Sequence, residues 1–542
     1  MPTINFKGKS AVWNHHLSVP YHTLEKDVKK SLKGKNDTEN LIIEGDNLLA
    51  LKSLLPKYQG KIKCIYIDPP YNTGNGGWVY NDNVNSPIIQ SWVGKVVGKD
   101  GEDLTRHDKW LCMMTPRLKA LRDLLSNDGV IFISIDDNEI EYLWALMNEI
   151  FEEKNFVACI TVEGNPRGRD YGGVARMHDY LLVYKNSDLT EINDLLDPEK
   201  TFPYEDKKGG FEVRELRNRN IAFNINNRPN LYYPFYVNPK EKDSNGFLEI
   251  SLDKNKDWVE VYPKESQGYK TVWRWGKEKA FENLNTEIIG KAMESGDGYQ
   301  IVEKYRKKSK MARSIWTDKD VNTEKGTLLL KEIFGRKVFA YPKPAEMIMR
   351  IIEMGSNKGD IILDSFAGSG TTAHAVISQN LKDKLDRKFI LVEMESYADK
   401  ITAERIRKVI KKNKSDIGFS YLKLGSPIDA DSILFGKLPS YSEFAKYVYY
   451  LATGETMDSE KIIDEKSYFV GKNKGESIYL IYQKDKEKLK NMAITLDWAE
   501  TINKKDKEKK IVYAPACFLD EEYLEKFNIQ FVSVPYNLFE KK

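Results

Sequence analysis

Short apolar runs and helix-like patterns alternate along residues 41–164, stop alternating over 165–336, and resume over 337–411. This alternation restricts the fold strongly, because parallel strands need a crossover of helix length between them. In the first block, Leu41–Asn47 (LIIEGDN) reads as a buried strand, and Leu48, Leu49, Leu51, Leu54 and Leu55 follow in a helical pattern. Cys64–Ile67 reads as a second strand. Trp110, Met114, Leu118, Leu121 and Leu125 then recur at spacings of three and four, as on one helix face. DGVIFISID (Asp128–Asp136), FVACITVE and DYLLVYK read as further strands. In the second block PAEMIMRIIEMG reads as a helix with Pro344 in its first turn. DIILDSFAGSG follows as a strand running into a glycine loop, then TTAHAVISQNL as helix, KFILVEME as strand and SYADKITAERIRKVI as helix. One doubly wound α/β sheet is therefore expected from both blocks, with a module over 165–336 inserted between them. The return strand near 178–185 is expected to belong to the sheet. An N-terminal segment over 1–40 precedes it. A C-terminal α/β domain is expected over 412–542, with strand-like pieces SYFVG, ESIYLIYQ, KIVYAPA and IQFVSVP.

Composition narrows the class without naming it. With 542 residues the chain has room for several cores. Its 84 basic and 81 acidic residues leave a net charge of only +3, so any nucleic-acid-binding surface must be local. Cys64, Cys112, Cys159 and Cys517 stand far apart with no CxxC spacing, which disfavours zinc ribbons and redox motifs and suits a reducing cytoplasm. His15, His16 and His22 lack acid or thiol partners at metal spacing, so no metal is expected. No apolar run is long enough for a membrane span.

Two strand ends carry the chemistry. The strand Cys64–Ile67 stops at Asp68-Pro69-Pro70-Tyr71, since neither proline can donate to a ladder. Gly74, Gly76 and Gly77 follow as a loosened loop. In DSFAGSGTT (Asp364–Thr372) a buried strand ends in an acid and a glycine turn at the start of a helix. That arrangement offers close backbone approach and free N–H groups to a ligand. It lacks the third glycine of a dinucleotide fingerprint and the Gly-Lys-Ser/Thr of a phosphate loop. A ligand-free tight turn is the plain alternative. Glu393 ends the next strand, where acids take ribose hydroxyls or simply face solvent.

Taken together, DPPY and FAGSG resemble the amino-methyltransferases that act on DNA with S-adenosylmethionine. Their order, catalytic motif before cofactor loop with a module between, resembles the permuted beta class. YPKPAEM resembles that family's cofactor-flanking motif, and IEGDNLLAL, GVIFISIDDNE, GNPRGRD and HDYLLVYKN resemble the modification subunits of type III restriction–modification systems; the resemblance covers about Leu41 to Ile410. The resemblance implies a Rossmann-like methyltransferase sheet with an inserted target-recognition module, methylating adenine N6 in specific duplex DNA by base flipping. Cytosine N4 as target, or a non-catalytic DNA-recognition subunit, are the alternatives. It implies a catalytic role for Asp68, Pro69, Pro70 and Tyr71. It also implies cofactor contacts from Asp46, Lys343, Pro344, Asp364, Phe366, Ala367, Gly368, Ser369, Gly370, Thr371 and Glu393, although Asp46 fits a helix N-cap equally well. A homodimer and a nuclease/helicase restriction subunit are the implied partners, beside duplex DNA.

The chemistry of an exocyclic amine agrees with this. Its lone pair is delocalised into the ring, so the reaction needs an acceptor that holds the N–H protons rather than a metal. The Asp68 carboxylate and a Pro69 carbonyl fixed by the Pro-Pro turn supply that acceptor pair, and Tyr71 offers a stacking face for an extruded base. In the module, RELRNRN contributes Arg214, Arg217 and Arg219, and KYRKKSKMAR holds six basic residues and no acid, among them Lys307, Lys308 and Lys310. Tyr232, Tyr233, Trp273, Trp275 and Trp316 lie nearby in sequence. Cations interleaved with aromatics suit phosphate contacts with base stacking, whereas a charge run alone is commonly a solvated face.

Overall fold

The structure, a computed structural model, describes residues 3–34, 39–73, 105–168, 173–197, 199–294, 296, 298–428, 439–453, 457 and 462–534. The chain forms two compact units, one from residues 1–193 with 312–542, the other from Asp194–Met311. The second is narrower than the module expected over 165–336, because the chain on both sides of it returns to the large sheet.

That sheet has ten strands: β1 (Tyr21–Lys26), β2 (Leu41–Glu44), β3 (Ile62–Ile67), β4 (Leu125–Ile135), β5 (Phe156–Val162), β6 (Asp179–Lys185), β7 (Ile315–Trp316), β8 (Ile361–Asp364), β9 (Lys388–Glu393) and β10 (Ser420–Ile428). Their order is β1-β10-β2-β9-β8-β3-β4-β6-β5-β7. From β10 to β4 every pairing is parallel. β6 runs antiparallel to both β4 and β5, as a return strand must. The central strands are apolar on both faces: Ile62, Cys64, Ile65, Tyr66 and Ile67 are all buried, as is the whole of Val130–Ile135.

The helices pack on these faces. α1 (Asn47–Tyr58) buries Leu48, Leu51, Leu54 and Leu55, each contributing about 1.5–3 kcal/mol by removal from water. α2 (Arg106–Leu124) starts in a capping box between Thr105 and Asp108 and buries Trp110, Met114, Leu118 and Leu121. It stops one residue before Leu125, which opens β4 instead of closing the helix face. α3 (Ile140–Met147), α4 (Ala345–Gly355), α5 (Thr371–Asp383) and α6 (Glu404–Lys412) complete the layers.

Two expected boundaries move. The segment over 1–40 contributes β1, and the first strand after residue 412 is β10, which pairs with both β1 and β2. Only later residues form a separate sheet, of Phe469–Asn473, Glu476–Leu480, Lys509–Ala514 and Ile529–Ser533. Those strands overlap the four pieces read from sequence.

Residues 194–311, which show little periodicity, form a seven-stranded antiparallel sheet around Phe235, Val237, Leu248, Trp273, Ile288 and Ile301. The strands are short and burial does not alternate regularly along all of them: in Phe235–Lys242 four buried residues are followed by four that are not, which explains why the periodicity is faint.

Candidate active site and nucleic-acid contacts

The chain winds one way through β8, β9 and β2, and the other way through β3 and β4. The reversal falls between β8 and β3, paired at Ile362 with Cys64 and Leu363 with Ile65. In open α/β sheets, ligands bind outside the carboxyl ends of the strands at such a point. Both motifs leave the sheet there, the glycine loop from β8 and Asp-Pro-Pro-Tyr from β3.

The tetrad is held from several directions. Trp110, fully buried on α2, donates its indole Nε1 to the Pro70 carbonyl at 2.7 Å. Among the described residues nothing donates to the Pro69 carbonyl. Lys343 Nζ lies 3.2 Å from Asp68 Oδ1, donates to the Tyr71 hydroxyl at 2.5 Å and stands 3.8 Å from Asp179 Oδ2. Burial pushes the Asp68 carboxyl above its usual range, while Lys343 and a hydrogen bond from Tyr71 pull it back. Lys343, expected at the cofactor, lies beside Asp68 and Tyr71 in this structure. Its neighbour Pro344 precedes α4 and accepts from Ile348 N at 3.4 Å. Gly74, Gly76 and Gly77 lie outside the described residues.

The glycine loop is equally built. Gly368 and Gly370 take φ of +52° and +79°, where a side chain is strained. A Cβ on Gly370 would meet the Thr402 carbonyl at 3.0 Å. Asp364 accepts from Phe366 N at 2.9 Å and Thr372 Oγ1 at 2.5 Å, and burial pushes it up to about 7. Phe366 is half-buried against the main core, and the Ala367 amide donates to the Val392 carbonyl at 3.1 Å. Glu393, 4% exposed, accepts from Gly368 N at 2.7 Å and Glu395 N at 3.0 Å. Its burial outweighs those bonds and raises it to about 8.

Sequence reasoning missed Arg405. Its guanidinium is fully buried and donates to Ser369 Oγ at 2.9 Å and Thr371 Oγ1 at 2.7 Å, with His374 Nδ1 3.3 Å from its Nε. Burial lowers it to about 9. Nothing in the stretch AERIRK marks one arginine as internal. Asp46 is the N-cap of α1: it accepts from Leu48 N at 2.9 Å and Leu49 N at 3.1 Å, and pairs with Arg117 at 3.1 Å. The capping alternative therefore describes its carboxylate in this structure. Asn47, also unforeseen, donates to the Ser365 carbonyl at 3.1 Å and so ties α1 to the loop.

In the smaller unit the basic runs are largely matched by acids. Arg214 pairs with Glu212 at 2.8 Å and lies 3.2 Å from the Tyr305 ring centroid. Arg217 and Arg219 share Glu215, at 2.8 and 2.9 Å. Lys304 and Arg306 hold Asp206, Lys307 holds Asp194 and Lys310 holds Asp197. Lys308 is exposed. Tyr233 and Trp273 are core residues, and Trp273 Nε1 donates to the Tyr233 carbonyl at 2.7 Å. Trp316 is buried in β7 of the larger unit. These three rings are spent on packing rather than presented to a ligand.

An acid-tipped strand beside a glycine loop whose neighbouring strand ends in a buried acid suits a nucleoside-bearing cofactor, as methyltransferases use. A family profile described as DNA methylase matches residues 62–404. The chain is 33% identical over 466 residues to the type III restriction-modification enzyme EcoPI Mod subunit of Escherichia phage P1, covering 78% of this chain and 71% of that protein. It is 36% identical over 371 residues to the type II methyltransferase M.KpnI of Klebsiella pneumoniae, covering 68% and 83%. The EcoP15I Mod subunit of Escherichia coli is 30% identical over 477 residues, covering 78% and 71%. The chain belongs to the N6/N4 DNA methylase family.

Proposed function

We propose that the chain transfers a methyl group from S-adenosylmethionine to the N6 amine of adenine in a specific duplex sequence, within restriction–modification or another defence system. The observation that carries this reading is the departure of Asp68–Tyr71 and Asp364–Thr371 from the carboxyl ends of adjacent parallel strands. When bound, S-adenosylmethionine would supply an electrophilic methyl group on a sulfonium sulfur, whose S–C bond breaks as the methyl is transferred so that the sulfur leaves as a neutral thioether. The residues suited to hold it are Gly368 and Gly370, which permit close backbone approach, and Glu393, whose oriented carboxyl suits ribose hydroxyls. Ser365 Oγ is buried without a hydrogen-bond partner among the described residues, an unmet polar atom that a ligand can satisfy.

Asp68 and the Pro69 carbonyl accept the amine protons, which keeps the nitrogen lone pair directed at the methyl group. Asp68 takes the proton released as the new N–C bond forms. Lys343 favours the ionised form of Asp68 needed for that acceptor role. The Tyr71 ring stacks with the extruded base.

Likeness to a subunit of a type III enzyme supports partnership with a nuclease/helicase restriction subunit, and the resemblance of the motifs supports a homodimer. A cytoplasmic setting suits an enzyme of duplex DNA. Among the described residues no helix is long and apolar enough to cross a membrane. The test is incubation with labelled S-adenosylmethionine and genomic DNA, followed by mass spectrometry of the nucleosides. N6-methyladenine is expected; N4-methylcytosine would overturn the adenine assignment, and unlabelled DNA the whole reading.

A further inference from the structure

GVIFISIDDNE ends in Glu139, a residue that neither motif uses. It immediately precedes α3, and its side chain has no solvent exposure. Asn72 Nδ2 donates to Glu139 Oε1 at 2.5 Å, and His107 Nδ1 lies 2.8 Å from the same oxygen. The other oxygen, Oε2, is buried with no hydrogen-bond partner among the described residues. A bare buried acceptor lowers stability, so this carboxyl is not there for folding alone. Burial also pushes it up to about 8, partly offset by the Asn72 bond.

What Glu139 holds is the turn behind the tetrad. Asn72 directly follows Tyr71 and takes φ of +57°, a left-handed conformation uncommon outside glycine though tolerated by asparagine. Its amide is engaged twice, by Glu139 and by the Arg106 carbonyl at 3.2 Å. Arg106 and His107 lie in the first turn of α2. The starts of α2 and α3 therefore grip one side chain that sets where the chain leaves Tyr71. Trp110 fixes the Pro70 carbonyl from the same helix.

We propose that Glu139 is a positioning residue for methyl transfer: through Asn72 it fixes the backbone turn that aims the Pro69 carbonyl and the Tyr71 ring at the target amine. This rests on the function proposed above. Small misplacement of reacting groups costs rate rather than affinity, on the order of 10²-fold for about 1 Å.

The test is a double-mutant cycle on the full chain. Asn72→Gly keeps the positive φ and removes the amide, so it isolates the grip from the backbone conformation. Glu139→Ala removes the acceptor. Each is expected to lower kcat by about 10- to 100-fold, with S-adenosylmethionine affinity by calorimetry changing less than about threefold. The double variant should be no slower than the worse single one, because both remove the same contact. Glu139→Gln keeps the acceptor oxygen and should stay within about threefold of wild type. Thermal midpoints guard against misfolding, and Asn72→Gly carries the test if Glu139→Ala does not fold. Additive losses in kcat, a Gln variant as slow as Ala, or cofactor affinity falling in step with kcat would each overturn the proposal. An active wild type with such results sinks the grip alone. A wild type that leaves DNA unmethylated sinks the functional reading, and the role of Glu139 in transfer with it.

Discussion

Lys343 meets Tyr71 across 272 residues of chain, and that contact changes what the tetrad's side chains are expected to do. From sequence the role given to Tyr71 is that of its ring, as a stacking face. In the structure the hydroxyl accepts from a nearly buried ammonium that also neutralises Asp68. Removing the ammonium leaves only the Tyr71 hydrogen bond to oppose burial, so the Asp68 pKa rises further and the ionised acceptor persists only at higher pH. Lys343→Met is therefore expected to move the acid limb of the kcat/KM profile to higher pH, while Tyr71→Phe, which leaves the ion pair, moves it less and retains more activity than Tyr71→Ala. Profiles of both variants that overlay wild type would show that Lys343 does not tune Asp68. The tetrad and the glycine loop were legible because each is a contiguous string whose residue types answer one local demand, a strand end or a tight turn. Lys343, Arg405 and Asn47 were not, since their roles come from partners brought together only by the sheet.

At the scale of single elements, the alternation of strand and helix was readable wherever strands are buried on both faces, as in β3, β4 and β8. The antiparallel strands of residues 194–311 were not, because they are short and their burial follows no regular period, as along Phe235–Lys242 and Tyr299–Tyr305. The run from Lys304 to Arg313 shows the same gap between composition and structure. Its cations look free in sequence, yet Lys304, Arg306, Lys307 and Lys310 are tied to carboxylates within their own unit. A lysine must leave its acid to meet a phosphate, and the freed acid then repels the duplex. Replacing Lys307, Lys308 and Lys310 together by alanine is accordingly expected to reduce the slope of log K against log salt by about 0.9, the share of one phosphate contact, rather than by about 2.7. Binding measured across a salt series decides it. A change near the larger value would mean that all three lysines leave their acids to reach DNA, and an unchanged slope that the run is a solvated face.

For the whole molecule the decisive fact is which strands are neighbours. β2 pairs with β9 and β10, and β3 pairs with β8, all supplied by residues 361–428. Without those residues β2 loses both of its neighbour strands and β3 keeps only β4, so apolar faces and backbone groups of both stand open. A fragment of residues 1–193 is expected to give no cooperative thermal transition and to aggregate, whereas the full chain unfolds cooperatively. A fragment that melts sharply would show that the first block is self-sufficient. The same neighbour relations set a clock on biosynthesis. β3 ends at Ile67 and β8 begins at Ile361, and ribosomes add about 5–20 residues per second. A nascent chain therefore waits roughly 15–60 s with the seam of its sheet unzipped, its apolar faces and strand edges exposed to aggregation and to chaperones for all of that time.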